Sequence, residues 1–203
     1  LVGSEMCIRD RERYFHKEIS RVQSIWYAQQ VENGIKYPRS SKHIKRLYRK
    51  KQNAVKDYLH KVTRWLAEYC KKEGISCVII GDIRNIRKGK DIGHKTNQKF
   101  HGLPYNKLYI MLEYKLKLYG ISLTKQEESY TSQCSPLSPE VSNRYAEASN
   151  RKERGIYITD GVRYNADAVG SFNILRKYLS VSGKQKELSV TGLKKPDIIK
   201  VAA

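Results

Sequence analysis

Residues 164–175 read YNADAVGSFNIL, and an earlier segment, residues 130–134, reads YTSQC. The apolar positions of the later segment predict a helix from about Ala166 to Leu179. Asp167 then stands at the start of that helix, where the helix dipole favours a carboxylate even when it has no chemical role. The two segments together place an acidic side chain behind a loop of Tyr, Thr and Ser in a strongly basic chain.

The two segments resemble the C-terminal half of the TnpB (OrfB) proteins of bacterial insertion sequences, which are RNA-guided DNA nucleases related to the type V CRISPR effectors. The resemblance runs from about Arg13 to Leu179 and is strongest in the segments quoted above. It implies an α/β protein with a partial RNase H-like (RuvC) fold, an inserted helical hairpin and a degenerate zinc-ribbon-like subdomain. It also implies DNA and a guide RNA as partners, because in RNA-guided effectors base pairing reads the sequence while the protein reads backbone and shape.

Hydrophobic spacing predicts a pair of antiparallel helices in the first part of the chain. Apolar residues four and three positions apart place the first helix at 13–33 and the second at 40–73. Tyr48 and Tyr69 fall on the apolar seam of the second helix, so they are predicted to be core residues rather than surfaces on which bases stack. The pair is expected to form a basic arm or hairpin.

The rest of the chain predicts short strands around one further helix. A β-branched run at 76–80 and a second predicted strand at 121–124 flank an apolar helix at 104–119. The dipeptide Asp160-Gly161 is typical of a hairpin turn between two more strands. Strand, helix and strand in this order indicate an α/β domain.

Combined with the resemblance, these patterns divide the chain into six parts. The parts are an artefact-like start (1–11), a basic helical hairpin (12–74), part of the RuvC-like core (75–128), a degenerate target-nucleic-acid-binding subdomain (129–164), a terminal RuvC-like helix (165–180) and a flexible basic tail (181–203). The start, LVGSEMCIRDR, is similar to translated sequencing-adapter DNA, so we expect the gene to continue upstream of it. The tail is expected to add little to the fold.

The composition of the chain favours a nucleic-acid partner. The 203 residues include 40 Lys and Arg against 20 Asp and Glu, which gives a net charge of +20. A polyanion is the expected partner because neutralising phosphates releases their condensed counterions. The chain has no apolar run of about eighteen residues and no basic amphipathic helix with an exposed apolar face, so nucleic acid is favoured over a membrane.

The cysteines give no sign of a metal site. Cys7, Cys70, Cys77 and Cys134 contain no C-x-x-C pair, so their spacing predicts neither a disulfide framework nor a zinc ribbon, and a reducing cytoplasm is the simplest compartment. The family that the chain resembles usually has one cysteine pair after Thr-Ser-Gln and a second pair before the last aspartate. Only Cys134 stands here, whereas tetrahedral zinc needs four ligands, so zinc is not expected.

The carboxylates are the candidate catalytic residues. Hydrolysis of a phosphodiester by two metal ions needs several carboxylates that converge on the scissile phosphate, and oxygen ligands suit Mg²⁺ or Mn²⁺. The resemblance implies that Asp167 is a metal ligand and that Mg²⁺ or Mn²⁺ is the cofactor of the complete protein. It also implies a first aspartate on a strand upstream of Arg13, which residues 1–11 do not supply, so the chain as given is expected not to cleave DNA.

Two positions compete for the middle carboxylate. The family usually has a glutamate directly after the strand at 76–80, where this chain has Gly81 and then Asp82. A rearranged subgroup that resembles the eukaryotic Fanzor relatives carries the glutamate shortly before the Thr-Ser pair, which here is Glu128, beside Glu127. Glu128 is therefore predicted to be a catalytic residue and metal ligand, with Asp82 as the alternative. The competing interpretation of the two glutamates is a solvated strand end.

Two basic stretches are candidate binding surfaces. Residues 39–72 hold twelve Lys or Arg against two acidic residues, and residues 84–99 hold six against one. A run of charge is usually only a solvated face, but an excess this large favours contact with phosphates. The side chains predicted to bind nucleic acid are Lys45, Arg46, Arg49, Lys50, Arg84, Arg87, Lys88, Thr131 and Ser132.

Three functions fit these observations. The leading hypothesis is a transposon-encoded DNA-binding protein, part of an RNA-guided endonuclease that cuts by metal-dependent hydrolysis when complete; the retained Asp167 and Glu128 favour it. The alternative is a nuclease-dead or decayed relative that only binds nucleic acid, which the missing glutamate after Ile80 and the missing cysteines favour. A basic ribosome-associated or RNA-packaging protein is the third, and it would have no need of carboxylates.

Overall fold

A computed structural model describes residues 4–82, 104–151, 153, 155–183 and 188–196, with side chains described from residue 12 onward. In chain order the helices and strands are α1 (Ser4–Glu32), α2 (Lys42–Lys72), β1 (Cys77–Gly81), α3 (Tyr105–Lys117), β2 (Ser122–Gln126), β3 (Ile156–Thr159), β4 (Val162–Asn165) and α4 (Ala166–Val181). Short 3-10 helices lie at Asn143–Tyr145, Ala148–Asn150 and Thr191–Leu193. The prediction of a mixed α/β protein is confirmed.

Helices α1 and α2 pack against each other as the predicted hairpin. Helix α1 begins at Ser4, so residues 4–11 of the adapter-like start belong to its helical backbone. Helix α2 begins after Ser41, whose hydroxyl accepts a hydrogen bond from the N–H of Ile44 at 3.1 Å and so satisfies one of the free donors of the first turn. The middle of α2 then buries an apolar face against α3. The buried α2 residues Val55, Tyr58, Leu59 and Val62 pack against Leu108 and Met111 of α3.

The prediction that Tyr48 and Tyr69 are core residues is wrong. Each of the two side chains is 41% exposed. Towards its C-terminal end α2 buries Ala67 and Cys70 instead, because α3 packs against the face that carries them. Tyr69 lies outside this contact and stacks on the ring of Trp65, with 5.3 Å between the ring centroids.

Strands β1 and β2 pair in parallel and are connected through α3. Their register runs from Cys77 opposite Ser122 to Gly81 opposite Gln126. Parallel strands need such a crossover, and the apolar face of the crossover helix covers the sheet. The buried residues of this second core are Ala67, Cys70, Leu112, Leu116 and Ile121, with Val78, Ile80 and Leu123 packed against them.

Strands β3 and β4 form the predicted hairpin, which leads directly into α4. Asp160 and Gly161 both have positive φ angles, 49° and 71°, which suit a two-residue turn between twisted strands. The third core lies here and contains Tyr157, Tyr164, Ala166, Val169 and Leu193. Leu193 belongs to the segment after α4, so that segment contributes to the core, although the sequence predicts little contribution from it.

Candidate functional site

The site begins where β1 ends, at Gly81. The chain leaves the partner strand β2 two residues before Glu128, and the Glu128 side chain folds back towards β1. A Cβ atom added to Gly81 would overlap the carboxylate of Glu128 and would lie 2.7 Å from its Cγ atom, closer than real Cβ contacts allow. The missing side chain at position 81 is therefore what lets the Glu128 carboxylate occupy this place.

Asp82 continues the same strand end. Its backbone N–H donates a hydrogen bond to the carbonyl oxygen of Gln126 at 2.7 Å, which extends the pairing of β1 and β2 by one residue. The side chain is half-buried. Both residues predicted as the middle carboxylate, Asp82 and Glu128, therefore lie at the C-terminal end of β1.

Glu127 is held by the terminal helix. Its Oε2 atom accepts a hydrogen bond from Lys177 of α4, and its Oε1 atom accepts one from the N–H of Ser129 at 2.5 Å. Lys177 also donates to the carbonyl oxygen of Ser129 at 3.2 Å. Burial raises the pKa of Glu127, but the hydrogen bonds from Lys177 and Ser129 outweigh it and lower the pKa overall. Glu127 is thus an anchoring carboxylate whose side chain is still 54% exposed, so the interpretation as a solvated strand end also remains open.

The loop after Glu128 is folded tightly onto that residue. The backbone N–H and the hydroxyl of Thr131 both donate to the carbonyl oxygen of Glu128, at 3.2 Å and 2.8 Å. Tyr130 has a φ angle of 66°, a left-handed conformation that costs free energy for a residue with a side chain. Thr131 is buried and supports the loop, whereas Ser132 is exposed. Of these two residues predicted to bind nucleic acid, Ser132 has the more accessible side chain.

One face of α4 fixes the loop from the other side. The side-chain amide of Asn173, which is fully buried, donates to the carbonyl oxygens of Thr131 at 2.9 Å and Cys134 at 2.8 Å. The guanidinium of Arg176 donates to the carbonyl oxygens of Ser135, at 3.1 Å, and Ser138. Burial lowers the pKa of Arg176. Because Asn173, Arg176 and Lys177 are three and four positions apart, they share one side of the helix.

Hydrogen bonds surround the single cysteine of the predicted degenerate ribbon. Cys134 is buried, and its thiol donates to the carbonyl oxygen of Ser142 at 3.3 Å. Burial raises the pKa of this thiol, which disfavours the thiolate that binds metals. Tyr157 adds a hydrogen bond from its hydroxyl to the carbonyl oxygen of Gln133 at 2.9 Å. This part of the chain is held together by side-chain to backbone hydrogen bonds.

Asp167 lies in the first turn of α4, where the sequence places it. The amide oxygen of the preceding Asn165 caps the helix by accepting hydrogen bonds from the N–H groups of Asp167 at 3.1 Å and Ala168 at 3.0 Å. The carboxylate is exposed, and its Oδ1 atom is 3.8 Å from a guanidinium nitrogen of Arg151, an ion pair of the kind that contributes little to stability. Within the described ranges, no group of three or more His, Cys, Asp or Glu side chains could hold a metal ion.

The basic surface lies on the first turns of α2. Lys45, Arg46, Arg49 and Lys50 are all exposed, and their spacing places them along one side of the helix. The other three predicted cations, Arg84, Arg87 and Lys88, lie outside the described residues. In the part of the chain that the structure describes, no helix is long and apolar enough to cross a membrane.

The structure is that of a mixed α/β protein with a basic helical hairpin and with acidic side chains at the end of a parallel strand pair. Two family models then match the chain. One, described as a probable transposase of the OrfB group, matches residues 7–87, and the other, described as a Cas12f1-like TNB domain, matches residues 105–174. The chain belongs to the TnpB/OrfB family, as its motifs predict.

A solved structure supports the fold. The chain is similar to a protein chain in the cryo-EM structure of a Cas12f1–sgRNA–target DNA complex, with a TM-score of 0.54 and 20% sequence identity. The match covers 79% of this chain and 40% of that chain, so the protein described here spans less than half of that relative. No curated protein matches the sequence.

Proposed function

We propose that this chain is the RuvC-like, C-terminal part of an RNA-guided DNA endonuclease. It binds target DNA and a guide RNA, and the complete protein cuts DNA with Mg²⁺ or Mn²⁺. The observation that carries the proposal is the Glu128 carboxylate at Gly81. The resemblance implies a carboxylate at this strand end. The Glu128 carboxylate lies where the Cβ atom of a side chain at position 81 would be.

The neighbouring glutamate supports the choice of Glu128. Both carboxylate oxygens of Glu127 are hydrogen-bonded, one to Lys177 and one to the N–H of Ser129. A carboxylate held in this way by a cation is a poor ligand for a second cation, because the metal would have to displace Lys177. We infer that Glu127 positions the loop, and the choice of Glu128 as the acting residue rests on its place at Gly81.

The terminal helix links the two proposed ligands. Asp167 lies at the start of α4, and Asn173, Arg176 and Lys177 further along α4 hold the loop that begins at Glu128. Catalytic constellations need rigid supports, because small displacements of a ligand lose much of the rate. We propose that these three side chains are positioning residues for Glu128 relative to Asp167.

The carboxylates within the described ranges do not complete a two-metal site. Glu128 and Asp167 offer the oxygen ligands that Mg²⁺ and Mn²⁺ prefer, and Asp82 is the alternative to Glu128. These residues do not form a group of three that could hold an ion in the part of the chain that is described. We therefore expect this chain to bind nucleic acid without cutting it unless a further carboxylate joins the site.

The second candidate function is a relative that binds nucleic acid and never cuts it. Two observations favour it: the described residues lack a complete group of metal ligands, and Cys134 is enclosed by hydrogen bonds. Binding would then rest on the exposed cations of α2, including Lys45 and Arg49, through contacts with phosphates. Such a protein would occupy a target without processing it.

One experiment separates the two functions. The complete reading frame is expressed together with its flanking DNA, so that any guide RNA is made beside it, and cleavage of target plasmids is measured in Mg²⁺. Glu128→Gln and Asp167→Asn should abolish cleavage and leave nucleic-acid binding intact. Glu113→Gln, which changes an exposed carboxylate on α3, is the matched control and should cut normally. Cleavage that persists in Asp167→Asn contradicts the nuclease assignment, and binding without any cleavage by the unaltered protein supports the second candidate.

A further inference from the structure

The connection between α1 and α2 is pinned to the end of α1. The side-chain amide of Gln30 donates to the carbonyl oxygen of Arg39 at 2.9 Å and accepts from the N–H of Arg39 at 3.0 Å. The indole N–H of Trp26 donates to the same carbonyl oxygen at 2.8 Å, and the hydroxyls of Tyr27 and Ser40 are 3.0 Å apart. Gln30 is buried, so its two bonds to Arg39 are partly shielded from water, whereas the bond from Trp26 is exposed. The tip of the hairpin, residues 34–39, is therefore attached to α1 at its Arg39 end.

This anchored tip presents an aromatic ring to solvent. Tyr37 is 75% exposed, and the neighbouring Ile35 is 43% exposed. The ammonium group of Lys36 lies over the Tyr37 ring, 5.7 Å from its centroid, so a cation accompanies one face of a ring that is still largely open to solvent. A single exposed apolar residue needs no explanation, but here a turn that is anchored to α1 displays a large ring that adds little to the folded core.

The charge around the tip is unbalanced. Residues 33–56 contain nine Lys or Arg and no Asp or Glu. Lys36, Arg39 and Lys42 are all exposed at or beside the tip, on both sides of Tyr37 in the sequence. A polyanion is the complementary partner for such a surface, and an aromatic ring among cations is the combination that single-strand binding sites use.

We propose that the hairpin tip is a binding site for an unpaired nucleotide, with the ring of Tyr37 stacking on the base and Lys36 and Arg39 contacting the flanking phosphates. The ligand is single-stranded, because the faces of bases inside a duplex are already covered by their neighbours. The inference rests on the proposed binding of nucleic acid and adds a specific subsite to it. DNA and RNA share this chemistry, so both are included in the test.

The test is the affinity of the purified chain for short fluorescent oligonucleotides, measured by anisotropy at one fixed salt concentration. The probes are a single-stranded pyrimidine DNA, the corresponding RNA, and a DNA duplex of the same length. Tyr37→Ala should weaken binding of at least one single-stranded probe by about five-fold or more, because loss of one stacked base costs about 1 to 3 kcal/mol. Tyr37→Phe keeps the ring and should bind like the unaltered chain.

The control variant is Tyr14→Ala, which removes a ring that is 67% exposed on α1 and should leave all affinities unchanged. The duplex should bind equally well to every variant. A larger loss with RNA than with DNA, or the reverse, identifies which strand supplies the base. The proposal is overturned if Tyr37→Ala binds both single strands normally, if the duplex loses as much affinity, or if Tyr37→Phe is as weak as Tyr37→Ala. Failure of the unaltered chain to bind any probe would instead remove the proposed function itself.

Discussion

The carboxylate of Glu128 occupies the space into which a side chain on Gly81 would project. The two residues are distant in sequence, since β1 ends at Gly81 and the crossover helix α3 and strand β2 both precede Glu128. Parallel pairing brings the ends of β1 and β2 to the same edge of the sheet, so a glutamate that follows β2 can take the place of one that follows β1. We therefore regard Glu128 as a replacement for a side chain at position 81.

The first prediction concerns the anchor of Glu127. Lys177→Met removes the cation that helps to lower the pKa of Glu127. The pair is partly exposed, so the free energy of unfolding should fall by only about 1 kcal/mol or less at neutral pH. A carboxylate with a lowered pKa in the folded state stabilises the fold above its unfolded pKa, and this contribution is lost as the pH falls through the folded pKa.

The variant should therefore lose less stability than the unaltered chain when the pH is lowered below the ordinary pKa of a glutamate. Urea unfolding at neutral and acidic pH measures the difference. Lys61→Met, which breaks an exposed pair with Asp57 on α2, is the control and should leave this acid dependence in place. Identical acid dependence in Lys177→Met and the unaltered chain would show that the pair does not hold Glu127.

The second prediction concerns Asn173. Asn173→Ala should lower the free energy of unfolding by about 2 to 4 kcal/mol. The substitution removes the amide that donates to the carbonyl oxygens of Thr131 and Cys134, so both oxygens lose this hydrogen bond. Amide hydrogen exchange over residues 129–142 should accelerate. Ser171→Ala on the exposed side of the same helix should change neither quantity appreciably. Normal exchange of this loop in Asn173→Ala would contradict its proposed dependence on α4.

The third prediction concerns the basic surface of α2. Replacing Lys45, Arg46, Arg49 and Lys50 with Gln should weaken binding of all nucleic-acid sequences to a similar degree. The slope of log K against log salt should fall by about 0.9 for each duplex phosphate contact that is lost. Replacement of Lys61 and Arg64, which are paired with Asp57 and Glu68, is the control and should have a smaller effect. The control removes two charges instead of four, so a loss in log K of about half the size would mean that binding reflects net charge alone.

Local patterns predict most of the secondary structure. Periodicity predicts the two long helices and the strands around α3, and local turn chemistry predicts the Asp160-Gly161 hairpin. Periodicity does not say where a partner helix lies along a seam. Tyr48 and Tyr69 are exposed because α3 covers only part of α2 and meets it on the face of Ala67 and Cys70.

The candidate site, too, is only partly predictable from local sequence patterns. The position of Asp167 at a helix start is a local property and could be predicted. The contact of Glu128 with Gly81 and the bond between Lys177 and Glu127 depend on tertiary folding, which no short-range pattern contains. One signal was available for Lys177: it lies four positions after Asn173, so the motif that identifies the helix also indicates which of its faces meets the loop.

Exchanging positions 81 and 128 tests whether Glu128 supplies the carboxylate of position 81. Cleavage of a target plasmid is measured for the complete protein with its RNA, for Glu128→Ala, and for the double variant Gly81→Glu with Glu128→Ala. Gly81 is not in a left-handed conformation, so its backbone accepts a side chain once Glu128 is shortened. We expect that Glu128→Ala does not cut and that the double variant regains cleavage. A double variant that folds and binds nucleic acid but remains as inactive as Glu128→Ala would show that Glu128 does not replace a side chain at position 81.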